Sequence, residues 1–203
     1  YIVFNTKKYL GGYMKKILVI LLGLISLSML SFSETKTFEL GLVSPIQLGA
    51  PTDDVDGFRL SLLYTENKNL NGFDWNWFIA KNSGTFNGFK LGGLYDQVDK
   101  GGKIYELGGF VNNFKGDTKV VQVLGGINIG ENVTGLRLFS LVNYAKEMKG
   151  TDVGAINYAN HIEGLQIGLF NYATHLSGFQ IGLLNYAKNS SFFPILPIFN
   201  KGE

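Results

Sequence analysis

The tripeptide Asn-Tyr-Ala recurs at Asn143, Asn157, Asn171 and Asn185, fourteen residues apart each time. A glycine stands seven or eight residues before each of these asparagines, at Gly135, Gly150, Gly164 and Gly178. A strict period of this length restricts a chain to architectures built from one small unit many times over. The upstream sequence follows the same template less strictly. "GFRLSLLY" opens at Gly57, "GFDWNWFI" at Gly72, "GFKLGGLY" at Gly88, "IYELGGF" at Ile104 and "VVQVLGGIN" at Val120. "TFELGLV" at Thr37 is a degenerate further unit. Units of 14–16 residues therefore occupy residues 57–190, which predicts one continuous repeat domain.

The first half of each unit alternates apolar with polar or small residues, as in Leu165-Gln166-Ile167-Gly168-Leu169, and this period of two predicts a strand. A helix would have to absorb many of the 27 glycines at about 1 kcal/mol each. Polar, Gly-rich stretches such as "DQVDKGG" and "KEMKG" read as turns. The fold class is all-β. Two architectures accommodate such units: a parallel β-solenoid of stacked coils, or an antiparallel meander closed into a β-barrel.

The polar position two residues into each unit discriminates between them. It reads Arg59, Asp74, Lys90, Glu106, Gln122, Arg137, Asp152, Gln166, Gln180, and its charges alternate in sign. Opposite charges help only when side by side, which parallel stacking supplies. Asn143, Asn157, Asn171 and Asn185 would likewise stack into a hydrogen-bonded ladder. The solenoid is the favoured expectation and the barrel the alternative. Both ends of a solenoid are bare sheet edges that need blocking. Residues 34–56, with Pro45 and Pro51, and residues 191–203, with Pro194 and Pro197, are the expected caps.

Upstream, Met14 opens "MKKILVILLGLISLSMLSFS": two lysines, an apolar run from Ile17 to Leu30, and small residues suited to cleavage after Ser33. Residues 14–33 are thus expected to be a signal peptide. Residues 1–13 are expected to be an upstream segment that is not translated in the cell, because "LGG" before Met14 can encode a ribosome-binding site. Without residues 1–33, Lys+Arg falls from 18 to 14 against 16 Asp+Glu. A weakly acidic chain gives nucleic-acid binding no electrostatic support. With no cysteine, neither a disulfide framework nor a lipid anchor on Cys is available.

Candidates for chemistry are few. His161 and His175 share a repeat position, but two ligands are too few for an ordinary zinc centre. "DDVDG" at Asp53–Gly57 lacks the closing Glu of a calcium loop and reads as a polar turn. Trp75 and Trp77 lie on the apolar alternation and are expected in the core. Tyr144, Tyr158, Tyr172 and Tyr186 would form a flat aromatic strip suited to a sugar or protein partner if exposed, and would fill the corner of each coil if inward. No catalytic, cofactor-binding or metal site is expected, and no enzyme.

The units "GLQIGLFNYATHLSG" and "GFQIGLLNYAKNSSFFPILPIFN" resemble a bacterial surface-repeat family with GLQIGLxNYA-type units. The match is specific from Gly135 to Asn200 and looser from Gly57 to Gly130, where Asn-Tyr-Ala is missing. The resemblance implies an exported protein with no assigned biochemical activity. The expectation is therefore an exported surface or secreted repeat protein with a structural or binding role, its partner a protein or glycan at the cell surface. The alternative is a small outer-membrane β-barrel, the one case in which a membrane contact is expected.

Overall fold

The computed structural model describes residues 35–203; the expected upstream segment and signal peptide lie outside the described residues. Every regular element there is a strand. β1 (Thr35–Val43), β3 (Asp54–Asn67), β4 (Leu70–Asn76), β6 (Phe86–Gly92), β8 (Gly102–Gly108) and β9 (Val111–Val123) form one parallel stack. β5 (Ile79–Asn82) and β7 (Tyr95–Val98) stack in parallel between β3 and β9 to make the second wall. β10 (Ile127–Ala187) is 61 residues of extended chain that coils on itself, beginning in parallel register with β9. The register pairs Gly57 with Gly72, Gly72 with Gly88, and Arg59 with Asp74, so like positions meet like. The molecule is a β-solenoid. The antiparallel barrel is not formed, since unit follows unit in parallel.

The leading glycines make the coil possible. Gly164 and Gly178 have φ of 142° and 140°, and a Cβ on either would sit 2.0 Å from the carbonyl oxygen of the like glycine one coil earlier. That left-handed region and that close approach both favour glycine. Ile104 and Val120, which take this place in two coils, are buried apolar residues instead.

Both ends are closed by antiparallel pairing. β11 (Ile195–Gly202) lies against the last coil, pairing Gly178–Tyr186 with Gly202–Ile195. At the other end β2 (Ile46–Gln47) folds back on β1. β1 is itself a strand of the stack, so the degenerate unit at Thr37 stacks in parallel on the unit at Gly57.

The interior reverses the polarity expected from the alternation. Apolar side chains fill two inward columns, Val55, Leu70, Phe86, Val133, Met148, Ile162 and Leu176 in one, and Val98, Phe114, Ala145, Ala159, Ala173 and Ala187 in the other. Between them the polar series of the sequence, from Arg59 to Gln180, is buried throughout. Trp75 and Trp77 point outward, 42% and 52% exposed, which corrects their expected place in the core. In a period-two strand only one of two adjacent positions can face in. Here the polar one does, because each member of the series from Arg59 to Gln180 pairs with a member in one adjacent coil or the other.

Candidate interaction surface

Arg59 is fully buried and donates from Nε and Nη2 to both carboxylate oxygens of Asp74, at 2.8 and 2.7 Å. Lys90 Nζ lies 3.1 Å from Asp74 and 2.8 Å from Asp96. Burial alone would raise the Asp74 carboxyl, but the adjacent Arg59 and Lys90 charges outweigh it and hold it at about 2. Burial would likewise lower Lys90, and the Asp96 and Asp74 carboxylates reverse that. Glu106 has no such cation in contact: burial, reinforced by Asp96, pushes it well above its usual range, while Gln122 Nε2 donates to it at 2.6 Å. Arg137 and Asp152 form a second bidentate pair at 2.7 Å. Gln180 Nε2 then donates to Gln166 Oε1 at 2.8 Å. Buried charge is tolerated here because each cation faces a carboxylate.

The asparagine ladder runs alongside. Asn143 donates to Asn157, Asn157 to Asn171 and Asn171 to Asn185, at 2.8–2.9 Å. It continues upstream through Asn128 and Asn112, which the sequence pattern missed because Tyr-Ala does not follow them. Asn157 and Asn171 also donate to the carbonyls of Ile167 and Ile181, at 2.9 Å, tying the bend of the next coil. Gly168 and Gly182 make room: a Cβ on either would meet an asparagine amide at 2.7 Å. These polar columns hold the fold together and are closed to solvent, so the surfaces that can meet a partner are the outward rows.

Tyr144, Tyr158, Tyr172 and Tyr186 stack in line, with ring centroids 5.2, 4.5 and 4.8 Å apart. They are half-buried, neither filling the interior nor standing free. A second stack, Phe38, Phe58, Phe73 and Phe89, runs along the first wall at 5.5–5.7 Å. Its signal lay in the Gly-Phe pairs at Gly57, Gly72 and Gly88. Beside it Trp75, Leu107 and Ile181 face out, and the bend adds Phe78, Phe110, Leu169 and Leu183. From the leading residue of each unit to its ladder position, every charged side chain is inward and buried. Exposed charges, such as Lys146, Glu147 and Lys149, occupy the remainder of each coil. The rod is therefore amphipathic across its width.

Over this apolar side runs a shallow groove of about 600 Å³, lined by Gly154, Gly168 and Gly182 with Ile167, Phe139 and Ile198 among its walls. Phe139 and Ile198, 67% and 76% exposed, have φ of 58° and 70°, a region that non-glycine residues seldom enter.

The remaining candidates lie on the surface and in a turn. His161 and His175 are exposed neighbours with ring centroids 5.7 Å apart, and His161 Nδ1 lies 2.9 Å from Glu147. Among the described residues no group of three or more His, Cys, Asp or Glu is placed to hold a metal ion. Asp53 and Asp54 serve their turn, accepting from the Ala50 amide and from Asn69 at 2.9 Å each. No family model, curated protein or solved structure matches the chain.

Proposed function

We propose that this chain is an exported repeat protein, on the cell surface or secreted, that works by presenting an extended surface to a protein or glycan partner and performs no catalysis. The observation that carries this reading is the tyrosine strip: four rings in line at 4.5–5.2 Å, each directly following an asparagine of the ladder. Flat aromatic rows are suited to the apolar faces of sugar rings and to protein contacts. Export draws support from the leader at residues 14–33 and from the resemblance to exported surface-repeat proteins. The experiment is protease shaving of intact cells, combined with a glycan and surface-extract binding screen of the purified chain. Shaving should remove the protein. The quadruple change of Tyr144, Tyr158, Tyr172 and Tyr186 to Ala should abolish capture while the circular dichroism stays β-rich. A protein found only inside intact cells, or measurable hydrolase or transferase turnover, would overturn the reading.

A further inference from the structure

The apolar side of the rod is large enough to require a partner of its own. About nine coils at roughly 4.8 Å, by a band about seven residues wide at roughly 3.3 Å each, give an area on the order of 1,000 Å². The largest apolar patch on an ordinary monomer is about 300–600 Å². A specific protein interface of this size would carry a hydrogen bond for every 100–200 Å² or so. The outward rows of this face are nearly bare of donors and acceptors: Phe58, Phe73, Phe89, Leu60, Leu91 and Ile167 are typical, and the backbone is used by the ladder. A lipid surface asks for no such partners.

The two borders of the face point the same way. Along one, Lys103 and Lys119 are directly paired in adjacent strands, one residue before buried Ile104 and Val120. Like charges so placed repel, and no carboxylate of the described residues pairs with either amine. Grooves of about 270 and 300 Å³ open beside them, one shared with Tyr105 and Val121. Both amines are exposed; Asp117, which accepts from Asn132, lines one of these grooves, and an anion from outside can approach the two lysines together. Along the other border lies the tyrosine strip, amphipathic rings of the kind that settle at headgroup level. The small-residue groove between Phe139 and Ile198 offers a bed for an acyl chain.

We propose that the rod lies on an anionic phospholipid surface, its apolar face immersed to acyl depth and Lys103 and Lys119 on headgroup phosphates. This is peripheral immersion of one face, as for an amphipathic interfacial helix, and not passage across the bilayer. It deepens the surface reading by naming a second partner. It stands or falls separately, because vesicle binding by the pure chain does not depend on where a cell puts it.

The two tryptophans of the chain, Trp75 and Trp77, both sit on this face and report on it directly. Purified full-length chain is titrated with phosphatidylcholine vesicles with and without phosphatidylglycerol, with brominated acyl chains as quencher. The expected result is a blue-shifted, quenched emission that is much stronger with phosphatidylglycerol. Changing Lys103 and Lys119 together to Ala should weaken that affinity about twenty-five-fold, at roughly fivefold per lysine. Leu107→Glu with Leu183→Glu should remove the shift while circular dichroism is unchanged. Inorganic phosphate at matched ionic strength should not displace the chain; displacement would mean a free-anion site and overturn the lipid assignment. Emission indifferent to lipid, equal affinity for both vesicle types, or tryptophans already shielded in a dimer would each overturn it too.

Discussion

The coils before Gly130 and those after Gly135 solve one packing problem with different chemistry. In the earlier coils the buried interior is ionic, with Arg59 on Asp74, Asp74 on Lys90 and Lys90 on Asp96 in turn. In the later coils a single ion pair, Arg137–Asp152, gives way to Gln166 and Gln180, and the ladder is all asparagine. The earlier units are 15–16 residues long and the last ones 14. An amide carries its own donor and acceptor, so it can be copied from coil to coil without change. A charge needs its opposite next door, so the ionic column cannot be copied one unit at a time.

The contrast can be broken at its strongest point. Asp74→Ala leaves Arg59 and Lys90 buried without their shared carboxylate and should cost about 3–5 kcal/mol, read as a drop in the urea midpoint or failure to fold. The same column changed at Gln166 to Ala, or the ladder at Asn157 to Ala, strands only neutral groups on the neighbours. Each should cost about 1–3 kcal/mol. A loss at Asn157 as large as at Asp74 would dissolve the distinction.

Acid separates the regions next. Asp74 is held at about 2, below the ordinary aspartate value of 3.8, so the stability it confers is present above pH 3.8 and lost as pH falls through 2. Hydrogen exchange across that window should rise first in residues 57–98, while the Gln166 and Gln180 coils, with no carboxylate in their column, stay protected. Equal loss in both regions would contradict the assignment. The smallest effect belongs to Glu39, which burial pushes up to about 7 despite the Gly49 amide and Arg59. A raised carboxyl favours the protonated fold, so β1 should loosen as pH rises from about 4.5 to about 7. Glu39→Gln should recover on the order of 1 kcal/mol at about pH 8, seen as slower exchange in residues 35–43.

Strands, parallel stacking and the four-asparagine ladder were legible in the letters because Gly and Asn recur where the backbone permits little else. Sidedness was not. Alternation tells which residues share a face and leaves open which face is inside, and the usual assumption put Trp75 and Trp77 there. The alternating signs of Arg59, Asp74 and Lys90 already held the answer, since strict sign order matters most where water cannot screen it. The upstream ladder members Asn112 and Asn128 were hidden by different neighbours, Asn113 and Ile129, where the later units have tyrosine.

Because each late coil meets the next through the same glycine approach, the same amide pair and the same ring stack, the coil is interchangeable with its copy. Duplicating residues 164–177 would lengthen the rod by one strand spacing, about 4.8 Å, and create no contact that the molecule does not already make. The reach of such a protein is then set by copy number, and it can grow or shrink by recombination between near-identical units while its two closing hairpins stay in place.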